Sequence, residues 1–271
     1  MLITFLGHAG FCVETPAMVL LMDPWLSEDG AFDSAWFQFP RNDHVAGPVR
    51  ALVARDDRPR FIYISHEHRD HFDESFLRSL ACDDITFIIP RFRRRALWHA
   101  LTRLRPLVVH EVDEGAPLTL PDATAAFLVD DSDMDRDSAI LLHADGRTFL
   151  NLNDCKAIDR LGAFAQRHGP IDVFAAQFSG ATWHPTCYDY SESEYARIAA
   201  EKTARKFETV AREIELVRPA LFHPSAGPCC FLDPQLIRIN FERVNIFPRT
   251  QQFLTFLDTR LTGTTTSMAH P

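Results

Sequence analysis

The chain has no apolar stretch near the roughly 18 to 20 residues that a membrane-spanning helix requires. Its first residues, Met1-Leu2-Ile3-Thr4-Phe5-Leu6-Gly7-His8, lack the basic start of a secretory leader and place a histidine where such a leader is apolar. They are expected to form a first strand. Basic charge is short: 28 Lys and Arg stand against 37 Asp and Glu, a net charge of −9. That balance argues against nucleic acid, whose phosphates demand a basic surface. Cysteine is also scarce. Cys12, Cys82, Cys155, Cys187, Cys229 and Cys230 show neither a CxxC pair nor framework spacing. This excludes an iron–sulfur or disulfide scaffold and fits reduced thiols in a cytoplasmic protein. No linker or internal repeat divides the chain.

With 271 residues, 46% of them hydrophobic, the chain can bury a substantial core. Phe is abundant at 22 residues, and Ala35-Trp36-Phe37-Gln38-Phe39 falls in a loop-like region where it is expected to line an apolar pocket for an apolar or aromatic-bearing ligand. The basic run Arg91-Phe92-Arg93-Arg94-Arg95 reads as a solvated helix face. Alternation and turn residues predict strands at 2–6, 11–14, 18–22, 61–64, 86–89, 107–109, 125–129, 139–143, 148–152 and 220–222. Asp145-Gly146 marks a hairpin between two of them. Helices are predicted at 73–79, 93–103 and 191–217. In the last, Ser191 and Glu194 make a capping box, and Tyr195, Ile198, Phe207, Val210, Ile214 and Val217 recur at helical spacing. The polar residues 261–271 are expected to fray, leaving 1–260 as one domain.

Directly after the strand-like Phe61-Ile62-Tyr63-Ile64 comes Ser65-His66-Glu67-His68-Arg69-Asp70-His71, three imidazoles and a carboxylate within six residues. In an extended loop His66 and His68 point the same way and can share one cation, while Asp70 and His71 turn toward a second. Mixed nitrogen and oxygen ligation suits zinc, iron, manganese or nickel rather than calcium.

HxHxDH, here His66, His68, Asp70 and His71, resembles the loop motif of the metallo-β-lactamase superfamily. The likeness extends to Asp23-Pro24-Trp25, Asn151-Leu152-Asn153-Asp154-Cys155, Phe178-Ser179-Gly180, Lys202-Thr203 with Arg205-Lys206, and Pro224 with Ala226-Gly227. Those pieces are similar in order to the metallo-β-lactamase-fold part of CMP-N-acetylneuraminate hydroxylases, over about residues 2–235. The Rieske ligands of those hydroxylases have no counterpart within this sequence. The resemblance implies an α/β fold, an αββα sandwich of two packed mixed β-sheets flanked by helices. It also implies a ligand set: His66 and His68 on one metal, Asp70, His71 and His223 on the other, and Asp154 bridging both. The superfamily's remaining histidine has no equivalent after 125–129. Asp133 falls at that place by ungapped counting, with Asp131 its rival and His110 a third candidate. His8 would stand at the pocket edge, Asp23 would orient a ligand histidine, and His184 would face substrate. Asp154, His8 and His184 are thus the candidate catalytic residues, and Cys155 is expected to turn away.

Three carboxylates among the ligands favour two iron ions over zinc or manganese, because harder oxygen donors stabilise a higher oxidation state. The resemblance then implies an O2-activating monooxygenase for a small molecule, supplied with electrons by a ferredoxin or reductase. The alternative is a dinuclear zinc or manganese hydrolase of a lactone, phosphodiester or amide, with a metal-bound hydroxide as nucleophile.

Overall fold

The computed structural model describes residues 1–55, 57–80, 84–104, 108–132, 136–261 and 265–266. Its strands form two large sheets. The first has six, in the spatial order Leu2–Gly7, Gly10–Glu14, Val19–Met22, Arg60–Tyr63, Ile85–Pro90 and Val108–Val112. The opening meander is antiparallel, and from Val19–Met22 onward the neighbours run parallel. The second sheet has seven, in the order Thr265–Thr266, Leu221–Ser225, Val173–Gln177, Arg147–Asn151, Arg136–Ala144, Ala123–Asp131 and Leu118–Thr119. Its first four are mutually parallel and the rest antiparallel.

The sheets pack face to face. Phe11, Val13, Leu20, Met22, Tyr63 and Ile88 of one meet Phe127, Ile140, Leu142 and Phe149 of the other in a single buried cluster. Because both faces of most strands are covered, their sequences read as continuous apolar runs instead of alternating ones. Ala46–Arg55, Glu74–Ser79 and Ala96–Thr102 cover the outside of the first sheet. Ile158–His168, Glu192–Val217 and Thr250–Arg260 cover the second. This is the expected αββα sandwich.

Local chemistry explains the boundaries. Ala144 pairs with Arg147 across Asp145 and Gly146, both at positive φ (53° and 68°), as a tight two-residue hairpin turn requires. Ser191 caps the long helix by accepting from the Glu194 amide, and Arg218 ends it in the left-handed region before Pro219. Three helices (Ala46–Arg55, Ile158–His168 and Thr250–Arg260) and the strand Val173–Gln177 were not anticipated, although Leu161, Phe164 and Ala165 do recur at helical spacing. The basic run is solvated as expected, but it is not on a helix face. Helix begins only at Ala96, and Arg91, Arg93 and Arg95 lie before it, paired with Asp113, Asp131 and Glu111. Most of the predicted tail lies outside the described residues; within it, Thr265–Thr266 adds a short parallel strand beside Leu221–Phe222. Among the described residues no helix is long and apolar enough to cross a membrane.

Candidate metal centre

The histidine-rich loop leaves the C-terminal end of Arg60–Tyr63, a strand held in parallel pairing on both sides. Loops at this end of parallel strands converge over the sheet edge. Asp23, one residue past the neighbouring strand and fully buried, organises the exit. It accepts from the Ser65 amide (2.8 Å), the Ser65 hydroxyl (2.6 Å) and His71 Nδ1 (2.7 Å). The His71 and Phe72 amides then donate back to the His68 carbonyl, folding the loop so that its side chains face one another. Asp73 closes it, capping the helix Glu74–Ser79 through the Phe76 amide while its second oxygen accepts from the Leu26 and Ser27 amides.

The second sheet supplies the opposing side. Asp154 follows Arg147–Asn151, placed by Asn153, which adopts positive φ (54°) and donates to the Ser138 carbonyl. Asn151, Ala175 and His223 stand in register across three parallel strands, so Asp154 and His223 emerge at the same sheet edge. Tyr63, Ser138 and Ser65 latch the two sheets at this point: the tyrosine and Ser138 hydroxyls are 2.5 Å apart, and Ser138 donates to the Ser65 carbonyl.

Two close groups result among the described residues: His66, His71 and Asp154, and His8, Asp70 and His71. His68 joins the first through its Nδ1, 2.8 Å from His66 Nε2. His71 Nε2 lies 3.5 Å from Asp154 and 3.6 Å from Asp70. His8, at positive φ in the turn after the first strand, reaches Asp70 Oδ2 at 3.0 Å. Gly7 allows that turn, because a Cβ there would meet Gln38 at 2.4 Å. The structure therefore brings together His66, His68, Asp70, His71 and Asp154, with His8 behind Asp70. His223 is buried edge-on to Phe5, ring centroids 4.6 Å apart, and lies outside both groups. Burial lowers its pKa to about 4, which keeps the imidazole neutral and able to donate a lone pair.

The arrangement fits a bound cation. With its Nδ1 proton directed to Asp23, His71 turns an Nε2 lone pair toward two carboxylates, and that nitrogen is buried without a hydrogen-bond partner. Asp70 Oδ1 and Asp154 Oδ1 are likewise buried and unpartnered. A lone pair facing carboxylate oxygens repels unless a proton or metal ion lies between. Burial alone would lower the His71 pKa, but Asp154 and Asp70 outweigh it and raise it well above the usual imidazole value. The pocket thus attracts positive charge strongly.

Sequence reasoning missed Asp137. This buried carboxylate stands 3.2 Å from His66 Nδ1, the counterpart of Asp23 behind His71. His66 and His71 so each have a carboxylate at Nδ1, which fixes the tautomer and leaves Nε2 for the site. The available signal was weak: a charged residue second in the otherwise largely buried strand Arg136–Ala144, next to an acidic run. Asp133 lies outside the described residues. Its rival Asp131 accepts from the Arg93 amide and guanidinium, and His110 is exposed on the far edge strand of the first sheet, so neither is poised to ligate. Cys155 points into the core beneath the outer helices.

Over the cluster opens a chamber of about 410 Å³. Phe32, Trp36, Trp183, Phe231 and Phe247 wall it, and Arg94, Arg136 and Lys156 add charge. Of the aromatic segment only Ala35 and Trp36 reach it. Phe37 and Gln38 instead pair with Cys229–Cys230, and Phe39 is capped by Arg249, 4.1 Å above its ring. His184 lines an adjoining groove, where Nε2 meets the Tyr190 hydroxyl at 3.0 Å.

A family model described as "Beta-lactamase superfamily domain" matches residues 2–161. A Mycobacterium tuberculosis protein provisionally named a Rieske 2Fe-2S iron-sulfur protein is 33% identical over 264 residues, covering 94% of this chain and 49% of its own length. The chain thus spans about half the length of that relative. Cytidine monophosphate-N-acetylneuraminic acid hydroxylase of Xenopus laevis is 26% identical over 164 residues, 56% of this chain and 25% of the hydroxylase. Among solved structures, the diiron β-hydroxylase CmlA of Streptomyces venezuelae superposes with a TM-score of 0.62 at 16% identity, over 99% of this chain and 52% of CmlA. Metallo-hydrolases share the fold as well. The matched family model, the sandwich and the clustered histidines and aspartates agree: this chain belongs to the β-lactamase superfamily, with the metallo-β-lactamase fold and its metal-dependent character.

Proposed function

We propose that the chain is the catalytic part of a diiron oxygenase that hydroxylates or otherwise oxidises a small organic molecule. The observation that carries this reading is the density of carboxylate around the site. Asp70 and Asp154 face the cluster directly, and Asp137 and Asp23 stand behind His66 and His71. Anionic partners make the imidazoles stronger donors, and oxygen-rich ligation favours iron in its higher oxidation state. A further support is the relative named for a Rieske cluster, a one-electron carrier of the kind that an oxygenase needs. Here a ferredoxin, a reductase or a linked iron–sulfur domain would supply those electrons.

Two irons, when bound, would supply O2 activation and the oxidising chemistry. His66, His68, Asp70, His71, Asp154 and His223 would hold them, and His8 steadies Asp70 through its 3.0 Å contact. Trp36, Phe32, Phe231 and Phe247 exclude water and seat an apolar portion of the substrate.

The test is anaerobic purification without added metal, followed by metal analysis and Mössbauer spectra. About two irons per chain, oxidised by O2 after reduction, is the expected result. Two zincs with no iron uptake, and turnover of ester or phosphodiester probes, would replace this reading with a hydrolase, the activity class of several proteins that share the fold.

A further inference from the structure

Beside the metal centre, a groove of about 710 Å³ runs along the long helix Glu192–Val217. It shares Asp154, Lys156, Gln177, Ala181 and Thr182 with the aromatic chamber, so the two form one bipartite cleft meeting at Asp154. In a chain of net charge −9, this second half gathers Lys156, Lys202, Arg205 and Lys206. Lys202 Nζ donates to the His184 carbonyl (2.8 Å) and the Thr182 hydroxyl (3.4 Å). Lys206 Nζ donates to the carbonyls of Gly180 (2.8 Å) and Ile246 (3.1 Å), and Arg205 Nε to that of Glu201 (3.4 Å). These are neutral acceptors, which leave positive charge uncompensated.

The acidic residues of the groove are otherwise engaged. Glu201 pairs with Arg197 at 2.6 Å. Glu213 is buried, and burial pushes its pKa up to about 8, so it is largely neutral at pH 7. Asp154 faces His71. Lys206 ties the Gly180 and Ile246 segments together, which accounts for one cation. Lys202, partly buried, and Arg205, at the exposed rim, line the same cavity and repel one another, an arrangement that a multiply charged anion stabilises.

We propose that Lys202 and Arg205, beside Lys206, bind the phosphate of an organic phosphate substrate whose apolar part occupies the aromatic chamber. Phosphate suits the groove better than a single carboxylate, since its charge of about −2 and its several acceptor oxygens can meet more than one ammonium at once. The scissile or oxidised carbon then lies between the two halves, over Asp154. This assignment rests on the reading that the metal centre is the catalytic one and names the substrate class for it.

The experiment is calorimetric titration of the metal-loaded protein with phenyl phosphate, which carries both features. Three variants are compared, each with its metal content measured: Lys202→Gln/Arg205→Gln, the exposed control Arg167→Gln, and Asp154→Asn. Saturable binding that weakens as salt rises, that falls at least tenfold in the double variant and that is unchanged in Arg167→Gln is the expected outcome. Equal affinity in the double variant, binding lost only with Asp154→Asn, or no binding to the unaltered protein would each overturn the proposal. Its fate separates from that of the oxygenase reading. A zinc-loaded protein that binds the probe through Lys202 and Arg205 keeps the phosphate groove and loses the oxygenase, whereas an iron-loaded one without lysine-dependent binding does the reverse.

Discussion

Asp137→Asn isolates the contribution of one buried charge behind a ligand histidine. The substitution preserves shape and an acceptor oxygen, so the Ser138 amide, 2.6 Å from Asp137 Oδ1, and His66 Nδ1, 3.2 Å away, keep a partner. What disappears is the negative charge that strengthens His66 as a donor. Carboxylates in this position typically contribute 10- to 100-fold in metal affinity, or about 1.4 to 2.8 kcal/mol. The Ser65 hydroxyl, 3.0 Å from the same Nδ1, remains as an alternative acceptor, which places Asp137→Asn near tenfold and Asp137→Ala nearer a hundredfold. On the proposed ligand set, the loss should fall on the metal that His66 and His68 would hold. Competition of metal-free protein with a chromophoric chelator resolves the two affinities, and cobalt(II) spectra report each site's geometry. Unchanged affinity at both sites, or weakening confined to the site of Asp70 and His71, would show that Asp137 does not act through His66.

On the proposed bridging role, Asp154→Ala should abolish binding of both metals; retention of full dinuclear occupancy by elemental analysis would rule out bridging. Glu213 carries a pH-dependent liability. Its folded pKa of about 8 lies above the ordinary 4.5, so the unfolded chain releases the proton first and stability declines as pH rises from about 4.5 to 8. Glu213→Gln should remove that slope and stabilise the protein at pH 8 by roughly 3 to 5 kcal/mol, read from urea melts at pH 5 and 8; parallel losses in both proteins would contradict it. Trp36→Ala should weaken binding of an aromatic substrate or probe by about tenfold or more, while Phe39→Ala leaves it unchanged, because only the first side chain lines the chamber. Equal effects in fluorescence titration would undo that distinction.

Much of the fold was legible because its signals are local. The apolar runs 18–22, 61–64 and 86–89 mark central strands, Asp145-Gly146 fixes a hairpin, and Ser191 with Glu194 starts the longest helix at the residue where it begins. The HxHxDH spacing likewise located one wall of the site. What stayed hidden depends on contacts between distant segments. Asp137 acquires its role only when the second sheet carries it against His66, 71 positions earlier in the chain, and next to the acidic run at 130–135 it looked like solvated loop. Lys202, Arg205 and Lys206 of the long helix entered the sequence reading only as pieces of the family likeness, and their place along a groove shows only once the loop around Gly180 folds against them. Phe37 and Phe39 misled for the opposite reason: an aromatic cluster in a loop does not say which rings turn inward.

The site straddles the seam of the sandwich. His66, His68, Asp70 and His71 hang from the first sheet, Asp154 and His223 from the second, and the Tyr63–Ser138–Ser65 chain, with the His66–Asp137 and Glu67–Arg136 pairs, fastens the edges beside them. A cation seated there is a cross-brace between two half-structures that are assembled from opposite ends of the sequence. Metal occupancy and folding are then one equilibrium: each binding event adds its free energy to the joint between the sheets, and metal starvation loosens the sandwich along the line where the substrate enters.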